Sequence, residues 1–261
     1  MAGAPPNRPD EAPAYLTSPL LEGAGLAHLF TTRHFPGDRA PDNPAAPFAA
    51  PEAARLAARA GLDGEAAAFL RQVHGAAVVR AERGGLAGVG DALLSDRPRL
   101  PLAVFTADCL PVVVYDRAAG RLAVVHAGWR GTAQSVVRAA VTALVKAGSR
   151  PDALVAAVGP SIGPCCYEVD RLVIDRLAAA FPAEWPSWVT GTGRDAQGEE
   201  RWMLDLWKAN EDQLHAAGLP AASVDNPRLC TSCRLDLFYS YRRGARGRLV
   251  TAAAIPARRA C

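Results

Sequence analysis

The sequence predicts a single α/β domain in which helices cover a mixed, largely antiparallel sheet. Between residues 69 and 126 five apolar segments follow one another with Gly-rich turns between them: "FLRQVH", "AAVVRAE", "LPLAVFTAD", "LPVVVYD" and "RLAVVHA". Runs of this length and composition read as strands. Helical periods and further strands then follow without a strict βαβ rhythm, which argues against an all-parallel sheet. No internal repeat or shift in composition marks a second domain. The expected layout is a disordered, Pro- and Ala-rich tail over 1–13 and one domain over 14–261.

Composition removes several classes of function. The chain has 261 residues, 50% hydrophobic and 21% charged, with a formal net charge of +3. That balance is ordinary for a globular protein long enough to bury a substantial core. The most basic segment, "YRRGARGR" at 241–248, is not interleaved with stacking aromatics and reads as a solvated loop rather than a nucleic-acid site. No stretch approaches the ~20 apolar residues of a spanning helix, and the N-terminus lacks the apolar core of a signal peptide. A cytoplasmic protein with no membrane or nucleic-acid partner is expected. Six cysteines, two of them adjacent at Cys165 and Cys166, do not look like a disulfide framework in a chain of this length.

Along the chain, "GLAHLFTTRHF" (25–35) reads as a short strand entering a Pro-rich loop over 35–51. "PEAARLAARAGL" has Pro51 at a helix start and Gly61 at its stop. "GTAQSVVRAAVTALVKAG" sets Val136, Val137, Ala140, Val141, Leu144 and Val145 on one helical face, with Thr132 as N-cap and Gly148 as stop. "ALVAAVGPSIGP" is a buried strand ending in a turn, with Cys165 and Cys166 expected to be buried beside it. "YEVDRLVIDRLAAAF" is a helix. "GTGRDAQGEER" (191–201) reads as an exposed loop before the strand-like "RWMLD". "DLWKANEDQLHAAG" is a helix capped by Asp205 and ended by Gly218, and "RLVTAAAI" is the last strand.

The stretch "TADCLPVVVYDRAAGRLAVVHAGWRG" (106–131) holds the residues with chemistry. If "RAAG" closes a hairpin, Asp116 pairs with Arg121, and Cys109 falls opposite Gly128. His126 then lies two residues away on the same face. Such diagonal neighbours sit about 7–8 Å apart, within joint reach of one metal ion or substrate atom. A slip of one residue would send them to opposite faces. Such a pair alone reads more readily as two ordinary buried residues. "RQVHG" shifts the balance by adding His74 at the end of its own strand. Two histidines and a cysteine, with a position left open, match a catalytic rather than a structural zinc. Asp108, just before Cys109, is a candidate to support the metal, and Asp91, in "GDALLSD", either orients a metal-binding histidine or only caps a turn.

"RQVHG", "GDALLSD", "TADCLPV", "VVHAGWRG", "GPSIGPCCYEV" and "FYSYRR" stand in the order found in the YfiH-like family, which the chain resembles over roughly residues 25 to 255. That family is also called the laccase-domain, polyphenol oxidase or multifunctional purine nucleoside phosphorylase family, and some members are called peptidoglycan editing factors. The resemblance implies a YfiH-like layered fold and a zinc held by His74, Cys109 and His126. It implies phosphorolysis of adenosine, inosine and methylthioadenosine, with adenosine deamination beside it. Cys109, His126, His74 and Asp108 are then the expected catalytic residues. Arg33 and Arg130, with the amides of 128–131, are candidate phosphate contacts or else surface ion pairs, and Gln72 either contacts substrate or simply sits in a strand. Three segments depart from the family pattern: "RHFPGD" (33–38) replaces R-x-G-G-x-S, "DNPAAPFAAP" replaces Y-x-S-L-N, and Arg242-Arg243-Gly244 replaces R-R-D.

Other readings stay open. Cys109 and His126 would also serve a metal-free hydrolase as nucleophile and base, and the chain also reads as a binding or editing factor for cell-wall precursors. A four-copper oxidase is disfavoured by count, because five histidines (28, 34, 74, 126 and 215) without a His-x-His are too few. A single copper at the zinc site is compatible. The expected partners are a small-molecule nucleoside and phosphate, with the chain a monomer or homodimer. "CTSC" (Cys230, Cys233) lacks a second CxxC to complete a zinc ribbon and reads as structural ahead of a redox or metal role.

Overall fold

The computed structural model describes residues 12–36, 48, 50–62 and 67–257. The tail expected over 1–13 lies outside the described residues as far as residue 11, as does most of the Pro-rich loop. Strands β1 (Tyr15–Leu16) and β2 (Ala27–Thr31) flank the short helix α1 (Pro19–Gly23), whose N-cap Ser18 accepts from the Leu21 amide. Helix α2 (Pro51–Arg59) begins on its proline and ends ahead of Gly61, which takes the left-handed φ of +79°. Seven strands follow: β3 (Ala68–Arg71), β4 (Val78–Arg80), β5 (Gly85–Val89), β6 (Ala92–Ser95), β7 (Leu102–Thr106), β8 (Leu110–Asp116) and β9 (Arg121–Ala127).

The second half departs from expectation in three places. The helix predicted after residue 131 is two helices, α3 (Trp129–Ala133) and α4 (Val136–Lys146), because Ser135 is left-handed at φ +62°. Thr132 is therefore no N-cap; it sits inside α3 and its hydroxyl accepts from Asn210 at 3.0 Å. Gly148 does follow the end of α4, at φ +99°. After β10 (Val155–Val158), Glu168–Val169 form strand β11, so helix α5 (Arg171–Ala180) starts only after Asp170, whose carboxylate caps the Val173 amide. The segment 191–201, read as an exposed loop, supplies the end of β12 (Val189–Arg194), a turn and the start of β13 (Glu200–Leu204), and the two strands pair antiparallel. Asp205 caps α6 (Leu206–Ala216) as predicted, and β14 (Val224–Asp225) and β15 (Leu249–Ala254) complete the chain.

The strands divide into two six-stranded sheets, ordered β1-β2-β15-β7-β3-β5 and β14-β10-β8-β9-β6-β4, and a small one, β11-β13-β12. Pairing is mixed and largely antiparallel; β3 runs parallel to β5 and β7, β4 to β6, and β10 to β14. The two large sheets stack face to face, with Leu102 and Val104 of the first packed among Val113, Tyr115, Leu122 and Val124 of the second. Ala53 and Ala57 of α2 cover the outer face of the first sheet against Leu29 and Val250. Helices α4, α5 and α6 cover the outer face of the second through Val137, Leu144, Leu177 and Leu214. Four layers result, α/β/β/α. This arrangement explains "LPVVVYD": with both faces covered, β8 is buried at every position and has no reason to alternate. Among the described residues no helix is long and apolar enough to cross a membrane.

Candidate active site

The β8–β9 register is the predicted one: Asp116 pairs with Arg121, Pro111 with His126 and Leu110 with Ala127. Cys109, immediately before β8, and His126, near the end of β9, therefore share the face turned towards the first sheet. His74 comes from that sheet, three residues beyond the end of β3. The site thus forms where the ends of the two stacked sheets meet. A ring nitrogen of His74, one of His126 and Cys109 Sγ all lie within 4.8 Å of one another. The two imidazoles meet edge to face, with centroids 4.8 Å apart and planes at 80°.

Asp91, between β5 and β6 and fully buried, organises this cluster. Its Oδ1 accepts from His126 Nδ1 at 2.8 Å, and its carboxylate also accepts the backbone N–H groups of His74 at 2.9 Å and Gly75 at 2.6 Å. The two roles weighed for it, orienting a histidine and capping a turn, are filled together. The second matters because His74 is left-handed at φ +59°, a conformation that costs a non-glycine residue about 1 kcal/mol or more and needs such support. Burial opposes ionisation of Asp91, but the His126 ring and the turn amides outweigh it and hold the carboxyl below its ordinary range.

Asp108, also left-handed at φ +84°, is fixed differently. Its carboxylate accepts from Thr231 Oγ1 at 2.6 Å, Ser240 Oγ at 3.0 Å and the Arg242 amide at 2.7 Å. Its oxygens are thus engaged with the segment 231–242, and it brackets the backbone from which Cys109 projects. Gly128, the first residue after β9, is required by contact: a Cβ there would stand 2.9 Å from Cys109 Sγ and 3.3 Å from His74 Cδ2.

The electrostatics within the cluster are reciprocal. Burial disfavours a charged Cys109, but the adjacent His126 and His74 rings prevail and bring its pKa down to about 6. Burial likewise disfavours a charged His126, yet Cys109 and Asp91 raise it to about 9. Without a metal, these opposite shifts favour a thiolate beside an imidazolium. With Nδ1 of His126 taken by Asp91, Nε2 is the nitrogen left for the cluster. Two imidazoles and a low-pKa thiol, one imidazole backed by a buried carboxylate, form a donor set suited to zinc. The other three histidines are engaged elsewhere: His28 donates to Leu26 O, His34 to Asp236 O and His215 to Leu219 O.

A cleft of about 570 Å³ opens over the cluster. Of the predicted substrate contacts, Arg130 lines it, with its guanidinium 4.4 Å from the Trp129 ring centre. Gln72 also lines it, but its amide is paired with both the N–H and C=O of Phe105 at 2.8 Å, tying β3 to β7. Arg33 is not among the lining residues; it donates to Leu235 O and lies over the Tyr239 ring. The lining adds Arg71, Arg248 and Tyr241, none singled out from the sequence. Arg71 stands inside "RQVHG", three residues before a selected histidine. Tyr241 and Arg248 belong to the segment read as a solvated loop, and only the packing of β15 against β7 brings that loop to the cleft. Among the described residues, Arg71, Arg130 and Arg248 form no ion pair.

The chain is similar to several known proteins over most of its length. Residues 37–256 match a family model described as multi-copper polyphenol oxidoreductase laccase. Purine nucleoside phosphorylase of Deinococcus radiodurans is 37% identical over 252 residues, spanning 92% of this chain and 94% of its own. Adenosine deaminase RL5, from an unknown prokaryotic organism, is 34% identical over 200 residues, 72% of this chain and 74% of its own. The crystal structure of YfiH from Bacillus licheniformis superposes with a TM-score of 0.78 at 28% identity, covering 94% of this chain and 97% of that one. The chain belongs to the laccase-like YfiH family.

Proposed function

We propose that the chain is a zinc-dependent purine nucleoside phosphorylase acting on adenosine, inosine and methylthioadenosine, with adenosine deamination as a second activity. The observation that carries this reading is a three-donor cluster, His74, Cys109 and His126, beneath a cleft lined by three arginines free of carboxylate partners among the described residues. The relatives named purine nucleoside phosphorylase and adenosine deaminase support it.

In phosphorolysis a phosphate oxygen bonds to C1′ of the ribose while the C1′–N9 bond breaks. The purine leaves with the bonding electrons and takes up a proton. The site must therefore hold an anion against the sugar, and Arg71, Arg130 and Arg248 supply charge-assisted donors for it. Tyr241, 71% exposed at the cleft, offers a ring face to the base. Zinc bound at His74, Cys109 and His126 would supply Lewis acidity towards an oxygen of phosphate, ribose or water. Asp91 holds the His126 ring in one orientation throughout. A four-copper oxidase would need imidazoles that His28, His34 and His215 do not bring to the cluster. A single copper on the same three donors is compatible with their chemistry.

The chain Asp91–His126–Cys109 favours a second reading, in which Cys109 is a nucleophile activated by an oriented histidine. The substrate would then be an acyl compound such as a cell-wall precursor. Purified protein incubated with inosine or adenosine, with and without phosphate, separates the two. Free base that depends on phosphate and disappears in Cys109→Ala supports phosphorolysis, and inosine formed from adenosine without phosphate supports deamination. No product above the Cys109→Ala control sinks both and leaves the hydrolase.

A further inference from the structure

A second cluster of metal-binding side chains lies outside the cleft. Cys165 and Cys166 come from the turn between β10 and β11, and Cys230 and Cys233 from the "CTSC" turn between β14 and β15. Their four sulfurs all lie within 4.8 Å of one another. Cys165, expected to be buried, is exposed, as is Cys233, while Cys166 is half-buried and Cys230 buried. The missing half of the zinc-ribbon pattern is thus supplied by an adjacent pair rather than by a second CxxC, which is why spacing alone did not reveal it.

We propose that Cys165, Cys166, Cys230 and Cys233 hold a structural zinc ion. Four sulfurs at the ~2.3 Å Zn–S distance stand about 3.8 Å apart at the corners of a tetrahedron. Cys233 Sγ is 3.4 Å from Cys165 Sγ and 3.4 Å from Cys166 Sγ, close to that edge and far beyond a disulfide bond of ~2.0 Å. The equal distances select neither neighbour as a covalent partner. Around the sulfurs stand the donors that thiolates require: the Gly163 N–H points at Cys230 Sγ at 3.3 Å, and the Arg243 guanidinium approaches Cys166 Sγ at 4.0 Å. Zinc would displace the thiol protons and leave a dianionic centre, which these groups partly offset. Four protein ligands leave no open position, so the site is structural, in contrast to the three-donor cluster in the cleft.

The placement gives the ion a purpose. It would fasten the 163–167 turn to the segment that begins at Cys230, and that segment provides Thr231, Ser240 and Arg242 to the Asp108 carboxylate. Arg242 also donates to Cys166 O and Glu168 O, closing the link from the other side. The ion would thereby fix the wall of the cleft that brackets Cys109.

The test uses the full chain, purified anaerobically without added metal, in a Cys109→Ala background that removes the thiol of the cleft. Zinc analysis should give about one ion per chain in that background, lost when Cys233→Ser is added. Circular dichroism confirms that each variant is folded, and His74→Ala, at an exposed position, replaces Cys109→Ala as background if the latter misfolds. Cobalt(II) added to the stripped background protein should produce strong thiolate-to-metal absorption that Cys233→Ser weakens. A folded background protein that holds no zinc and gives no such absorption overturns the proposal. A disulfide from Cys233 to Cys165 or Cys166 in the anaerobic protein, read by mass spectrometry without reductant, also overturns it.

Discussion

One oxygen of Asp91 accepts from His126 Nδ1 at 2.8 Å and from the His74 backbone N–H at 2.9 Å. A single buried carboxylate so fixes the ring of one donor and the backbone of another, although the two residues come from different sheets. Asp91→Asn preserves the volume but removes the charge, and turns an NH₂ towards groups that themselves donate. Zinc affinity should fall about 10- to 100-fold, with kcat/KM for inosine falling in step. Competition against a chromophoric chelator reads the first and chromatography the second. Unchanged zinc affinity would refute the positioning role.

The low pKa of Cys109 has a direct signature. In metal-stripped protein, alkylation by iodoacetamide should rise with pH around a midpoint of about 6, the thiolate being the reactive form. His126→Ala removes the larger of the two imidazole influences that oppose burial, so the midpoint should move up from about 6. Zinc restored to the native chain should suppress alkylation. Rates followed by intact mass across pH check all three; a midpoint unmoved by His126→Ala would be the contrary result.

Gly128→Ala places a methyl group 2.9 Å from Cys109 Sγ and 3.3 Å from His74 Cδ2. Since φ at Gly128 is −84°, the backbone accepts alanine and the strain falls on the donors. A displacement of this kind should lower kcat about 100-fold, with little change in the thermal midpoint. Kinetics and a melting curve on the same sample distinguish this from general destabilisation.

The cleft arginines differ from Gln72 in what they hold. Arg130→Ala and Arg248→Ala should each raise the KM for phosphate by about 10-fold, the scale of one charge-assisted hydrogen bond. Gln72→Ala should instead reduce stability by about 1–3 kcal/mol, because it leaves the Phe105 N–H and C=O without their partner. Initial rates against phosphate concentration, with chemical denaturation of each variant, supply the comparison.

The hairpin shows why part of the site was legible beforehand. A four-residue loop with clear apolar runs on either side fixed one register, and register alone puts Cys109 and His126 on one face. His74 could be added because it ends its own strand within a distinct motif. Arg248 and Tyr241 could not, since their approach to the cleft depends on β15 returning to pair with β7 across more than a hundred residues. Arg33 failed for a related reason: the partners that engage it, Leu235 and Tyr239, are two hundred residues distant in the chain. Ser135 broke the predicted helix through a left-handed backbone that apolar periodicity does not report. The stacking of the strands into two sheets was likewise hidden, because a continuously apolar strand such as β8 does not say what covers each face.

Base release from inosine, with and without phosphate, tests the cleft most directly. Native protein should yield hypoxanthine and ribose 1-phosphate in equal amounts only when phosphate is present, and Cys109→Ala should yield neither. Hypoxanthine that forms without phosphate, or none above the Cys109→Ala control, would contradict phosphorolysis at His74, Cys109 and His126.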